Sequence, residues 1–181
     1  MKLLLLASGS GTLAQAVIDA GFDICAVVSD VPDAHVIQRA NTANIDSKVI
    51  PYRKPRAEWD KELFEYVSSK SPDLVVSVGF MRILNSEFVS TFKVINSHPA
   101  LLPAFPGAHA VRDALAAGAK ITGCTVHWVD AGVDTGPVIS QVTVPIEPND
   151  DESTLHERIK IVERKLIVEV IKSLESKSER S

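Results

Sequence analysis

The chain has 181 residues, enough for one domain with a full hydrophobic core. A formal charge of −4 with no polybasic block excludes a typical nucleic-acid binder, and no stretch approaches the roughly twenty apolar residues of a membrane span. Two distant cysteines, Cys25 and Cys124, suggest neither a disulfide framework nor a zinc site and read as buried thiols in a reducing compartment.

The opening apolar run, Leu3-Leu4-Leu5-Leu6-Ala7, is shorter than the roughly seven to fifteen residues of a secretory core, and a Gly-rich turn follows at once. Residues 2–7 therefore predict a buried first strand, and the protein is expected to be cytoplasmic. A helix is predicted over 12–20, with Leu13 and Val17 on one face and Gly21 just past its end. Residues 23–28 predict a second strand, 33–43 a second helix, 48–50 a short strand, and 57–69 a helix carrying Leu63, Tyr66 and Val67. Leu74-Val75-Val76-Ser77-Val78 is continuous and β-branched, as strands buried on both faces tend to be. This alternation implies βαβ units, hence an α/β fold with a mostly parallel sheet and helices on both faces.

The second half reads differently. A short strand is predicted over 93–96, followed by a loop holding Pro99, Pro103 and Pro106, a helix over 110–117, and strands over 123–129 and 138–144. Leu155, Ile159, Val162, Leu166 and Val170 fall three or four apart, the stripe of a long amphipathic helix, and Thr154-Leu155-His156-Glu157 fits a capping box at its start. The polar tail over 175–181 is expected to fray. No internal repeat or linker interrupts the chain, so a single domain is expected.

Ser8-Gly9-Ser10-Gly11-Thr12 lies between the first strand and the first helix. Glycines there let backbone N–H groups approach a ligand, and the helix N-terminus adds partial positive charge, so phosphate is the natural guest. The same stretch, continued to Ala14, satisfies the G-x-G-x-x-G/A dinucleotide fingerprint, and Asp30 follows at about twenty residues. A nicotinamide-dependent reductase is thus a rival. Against it stand polar residues suited to acyl transfer and a chain short for a separate substrate domain.

Those polar residues sit in two segments, Asn96-Ser97-His98-Pro99 and Val129-Asp130-Ala131-Gly132-Val133-Asp134. Asn96 and His98 are two apart at the C-terminal end of a short strand, so both can face one side, where ligands of open α/β sheets collect. Asp134 lies in a Gly-flanked loop able to bring a carboxylate to an imidazole. Asn96 and a protonated His98 could donate to an oxyanion, while His98 and Asp134 suit the proton transfers of amine attack on a carbonyl.

Asn96-Ser97-His98-Pro99-Ala100-Leu101-Leu102-Pro103, followed by Phe105-Pro106-Gly107 and His109, resembles the signature of the folate-dependent glycinamide ribonucleotide formyltransferases of purine synthesis. The likeness extends to the Ser-Gly-x-Gly loop, to Gly79-Phe80-Met81-Arg82-Ile83-Leu84, to the 130–137 loop and to Glu157-Arg158-Ile159-Lys160. It implies a Rossmann-like formyltransferase fold over 1–181, with a nucleotide-binding half over about 1–92 and a catalytic, folate-binding half over about 93–175. It implies Asn96, His98 and Asp134 as the catalytic trio. Gly9, Ser10, Gly11 and Thr12 would hold the ribonucleotide phosphate with help from Lys160, and Glu163 would meet the sugar or glycinamide end. Met81, Arg82, Ile83 and Leu84, with Val129 and Asp130, would line the pocket of 10-formyltetrahydrofolate, the co-substrate, and Arg56 would reach the folate tail. The resemblance implies no metal, no nucleic acid and no membrane, and leaves the oligomeric state open, a homodimer included.

Two departures stand out. The family often has Gly-Ser-Asn in the phosphate loop, where Leu13 here offers no side-chain hydrogen bond, and often Ile at the position of Ser97, whose side chain is expected to point away from the site. Methionyl-tRNA formyltransferase and formyltetrahydrofolate deformylase share the Asn-x-His and Asp chemistry but are expected to carry additional domains. A sugar-nucleotide N-formyltransferase is the nearest enzyme rival, and a non-catalytic folate- or nucleotide-binding module the rival outside enzymology.

Overall fold

The structure is a computed structural model that describes residues 1–178. It divides into two compact units, Met1–Ile95 and Asn96–Ser181. In the first, β1 (Leu3–Leu6), β2 (Ile24–Ser29), β3 (Ser47–Val49) and β4 (Leu74–Ser77) run parallel in the order β3-β2-β1-β4. Every residue of β1 and β4 is buried, as the unbroken apolar runs predict for a central strand. Helices α1 (Thr12–Asp19), α2 (His35–Thr42) and α3 (Arg56–Lys70) alternate with these strands. α1 ends where glycine predicts: Gly21 takes φ +77° and its N–H bonds the Ile18 carbonyl. α3 buries Trp59, Leu63 and Val67, and the Trp59 indole donates to the Ile50 carbonyl.

One element escapes the sequence reading. α4 (Ser86–Thr91) is a six-residue helix whose Asn85 side chain accepts the Phe88 N–H, an N-cap visible in Asn-Ser-Glu once sought. Phe88 then packs with Phe64 and Phe92.

β5 (Val94–His98) runs from the last residues of the first unit into the second, two residues further than the predicted 93–96. The second unit continues with α5 (Ala110–Ala116), β6 (Ile121–Trp128), β7 (Val138–Pro145) and α6 (Glu152–Ser178). β6 lies between β5 and β7, and β6 and β7 pair antiparallel, with a register shift between Val126 and His127. The seven strands are thus mostly parallel.

α6 corrects three expectations. It starts before the predicted capping box: Asp151 accepts the Thr154 N–H, and the Thr154 hydroxyl accepts the Asp151 N–H. Asp151 is therefore the cap, while Glu157 bonds Lys160 instead. The buried stripe holds Leu155, Ile159, Leu166 and Val170 as expected, but Glu163 occupies the place given to Val162, and Ile167 and Ile171 widen it. The expected frayed tail is helical to Ser178, and 179–181 lie outside the described residues. Among the described residues no helix is long and apolar enough to cross a membrane.

Candidate active site

Alternation along β5 sends Asn96 and His98 to one face and Ser97 to the other. His98 is buried, and its Nε2 lies 2.8 Å from the Phe105 carbonyl. Phe105 holds a left-handed φ of +54°, which costs roughly 1–2 kcal/mol in a residue with a Cβ. Its reward is a carbonyl turned onto the imidazole. The loop carrying it is anchored from below: the buried Thr125 hydroxyl donates to Ala100 O and accepts the Leu102 N–H, and Gln141 donates to Leu102 O and to Thr125.

Asp134 reaches the same imidazole from the β6–β7 connection, its Oδ2 3.4 Å from His98 Nδ1. It too sits at positive φ, +53°, a region Asp tolerates better than most. The Gly107 N–H donates to Oδ2 at 2.8 Å. Burial opposes the charge of Asp134, but the neighbouring His127 ring, the Gly107 N–H and the His98 ring outweigh it. The carboxyl is held below its usual range. The connection closes tightly because residue 136 is glycine: a Cβ there would stand 1.8 Å from the Trp128 carbonyl oxygen.

Asn96 joins the group through a residue the sequence reading passes over. His127 is buried, its Nδ1 lies 2.8 Å from the Trp128 carbonyl, and its Nε2 lies 3.3 Å from Asn96 Nδ2 and 3.5 Å from Asp134 Oδ1. Donation from Nδ1–H to Trp128 leaves Nε2 to accept one amide hydrogen of Asn96, so the other is free to face a ligand. Asn96, His98 and Asp134 are thus brought together, with His127 as the fourth member. The second unit also holds Asp130, whose carboxylate closes its own loop by accepting from Gly132 N–H and the Thr135 hydroxyl, with Val129 half-buried beside it. Lys160 pairs with Glu157 at 2.7 Å, and Glu163 is buried with one oxygen on Ser97.

The first unit holds the other candidates. Gly9 and Ser10 are exposed, and Gly11 caps α1 at φ +70° with no side-chain cap and no acid in the first turn. The N–H groups of that turn therefore meet no capping side chain from Gly11 and no acid of the first turn. Arg39 braces the loop by donating to the Ser10 carbonyl. Met81 is 60% and Ile83 54% exposed, unusual for apolar side chains, while Leu84 is buried. Arg82 is committed: its Nε lies 2.6 Å from the buried Asp30 carboxylate and its guanidinium lies over the Tyr52 ring. Arg56 donates to the Ile83 carbonyl and pairs with Asp60, so it supports the 81–84 segment from α3. Asp30, the acid of the dinucleotide fingerprint, takes Arg82 on one oxygen and the Ser8 hydroxyl on the other.

The family model for formyl transferases matches residues 1–171. The chain belongs to the formyl transferase family. It is 46% identical to phosphoribosylglycinamide formyltransferase of Mycobacterium tuberculosis H37Rv, over 96% of this chain and 84% of the relative. It is 36% identical to the Bacillus subtilis enzyme of the same name, over 96% of this chain and 94% of the other. The crystal structure of phosphoribosylglycinamide formyltransferase from Bacillus halodurans superposes with a TM-score of 0.93 at 34% identity, covering 98% of this chain and 97% of that one.

Proposed function

We propose that this formyl transferase moves the formyl group of 10-formyltetrahydrofolate to the amine of glycinamide ribonucleotide. The observation that carries the reading is the gathering of Asn96, His98 and Asp134 around His127 on a strand end, in a chain whose full-length relatives bear that enzyme's name. Asn96 keeps one amide hydrogen for the oxygen that gains charge as the amine adds to the formyl carbon, and His98 supplies a second donor once its Nε2–H turns from the Phe105 carbonyl to that oxygen. Asp134 holds the imidazole and, ionised across the neutral range, favours the passage of the amine's proton to the departing folate nitrogen. The new C–N bond forms first, and the tetrahedral adduct then collapses with cleavage of the C–N bond to folate, whose nitrogen takes the proton the amine gave up, so formyl and proton both balance.

In this reading the loop from Gly9 to Thr12 in the first unit takes the substrate phosphate on backbone N–H groups, and in the second unit Lys160 adds positive charge for the ribonucleotide and Glu163 meets its sugar or glycinamide end. In the first unit the exposed Met81 and Ile83, with Leu84, are offered to the folate, and in the second unit Val129 and Asp130 are. Arg82 and Arg56 serve that pocket as supports of its backbone rather than as free cations, which fits their commitments to Asp30 and to Ile83. The test is a spectroscopic assay for loss of 10-formyltetrahydrofolate. Turnover is expected only when glycinamide ribonucleotide is present. Equal loss with water alone would mark a deformylase, and no loss with either a binding module.

A further inference from the structure

Glu163 is a carboxylate placed in the apolar stripe of α6, 7% exposed, and such a group is costly unless something holds it. Its Oε1 accepts a 2.8 Å hydrogen bond from the Ser97 hydroxyl. Its Oε2 accepts none among the described residues. Ser97 lies between Asn96 and His98 but on the opposite face of β5. Among the described residues Ser97 is therefore the donor that fixes this carboxylate.

We propose that Ser97 is a positioning residue for ribonucleotide binding: its hydroxyl clamps one oxygen of Glu163 so that the other is presented, oriented and free, to the substrate. The proposal rests on the reading that Glu163 meets the ribonucleotide. An isoleucine at 97 can supply only shape, whereas serine supplies direction and charge preference. Burial raises the Glu163 pKa, and Ser97, Lys160 and Arg164 oppose that rise. From β6 the buried thiol of Cys124 faces the same carboxylate and donates no charge, its own pKa pushed up to about 12 by burial and by Glu163. Of these neighbours only Ser97 donates a hydrogen bond to Glu163. Its removal raises the pKa further, so less of the ionised, substrate-binding form exists at a given pH.

The experiment is steady-state kinetics of Ser97→Ala, Ser97→Thr and Glu163→Gln against pH, with calorimetric titration of glycinamide ribonucleotide. Ser97→Ala is expected to raise the ribonucleotide KM about tenfold, the weight of one hydrogen bond to a charged group, with kcat and folate KM within about twofold. The acidic limb of the ribonucleotide KM profile should move to higher pH, and Ser97→Thr, which keeps the hydroxyl, should restore both. Glu163→Gln should abolish that limb. If Glu163→Gln raises KM while Ser97→Ala does not, the clamp is wrong and the Glu163 reading stands. If Glu163→Gln leaves KM unchanged, the Glu163 reading fails and the clamp with it. Parallel loss of kcat, both KM values and thermal stability in Ser97→Ala would make Ser97 a packing residue and overturn the proposal.

Discussion

Gly9 and Gly11 look alike in the sequence and answer to different neighbours. A Cβ on Gly11 would stand 2.6 Å from the Val36 side chain, at a φ of +70°, whereas one on Gly9 would meet nothing within 4 Å. Gly11 is therefore demanded by the fold and Gly9 is left for a ligand. Gly9→Val should raise the ribonucleotide KM at least about tenfold with an unchanged melting temperature, while Gly11→Val should lose about 1–3 kcal/mol of stability in urea denaturation. Comparable destabilisation in both would remove the phosphate from Gly9. Asp134 should act in turnover more than in binding, because its contacts to His98 and His127 strengthen as charge develops. Asp134→Asn is expected to lower kcat at least about 10²-fold with little change in either KM, read by steady-state kinetics. That Asn96 and His98 share one face was legible from their spacing, while the grouping with Asp134 leaned on the resemblance. His127 was not legible, because its aim depends on the register shift between Val126 and His127, and a bulge of that kind re-aims a side chain with no local sequence mark. Nor could Arg82 be seen as spoken for, since its partner Asp30 lies 52 residues away.

Among the elements, α6 shows most clearly what a pattern can and cannot give. Its periodicity was visible, but its start was misplaced because two overlapping motifs competed, and Asp150 settles the outcome. That carboxylate binds Arg158 through both oxygens, accepts the Glu147 N–H and receives the Thr154 hydroxyl. Thr154, fixed by Asp150 and Asp151 together, cannot also begin the helix. Asp151→Ala should therefore cost about 1 kcal/mol in urea denaturation, whereas Glu157→Ala should be near neutral. Asp150 gives a pH signature as well. The hydrogen bonds from Arg158 lead in lowering its pKa from 3.8 to about 2, so its stabilising share is complete above 3.8 and fades as pH falls toward 2. The melting temperature of Asp150→Asn should lie below that of the parent at neutral pH, and the gap should close through that acid window. A constant gap would mean that packing, and not ionisation, sets its role. The missed helix α4 failed for a simpler reason, six residues being too few for a 3.6-residue period to register.

For the molecule as a whole, the alternating strands and helices of the first unit were legible because parallel strands buried on both faces write themselves as continuous apolar runs. That same legibility produced the dinucleotide rival, since a glycine turn ahead of a helix serves any phosphate. The arrangement of Asp30 separates the two. A dinucleotide site needs that acid free for a ribose hydroxyl, and here it is buried with both oxygens engaged by Ser8 and Arg82. Releasing it would leave a carboxylate almost wholly sealed from water without its cation, at a cost of about 3 kcal/mol, the lower end for buried pairs because Arg82 is itself partly exposed. That exceeds what one ribose hydroxyl returns. Ligand-linked melting tests the consequence directly. Glycinamide ribonucleotide at about 100 times its Kd should stabilise by about 2.7 kcal/mol and raise the melting temperature by roughly 5–10 °C. NAD or NADP at millimolar concentration should raise it by nothing measurable. A clear rise with either dinucleotide would mean that Asp30 does release Arg82, and the glycine loop would then belong to a different chemistry from the one its neighbours support.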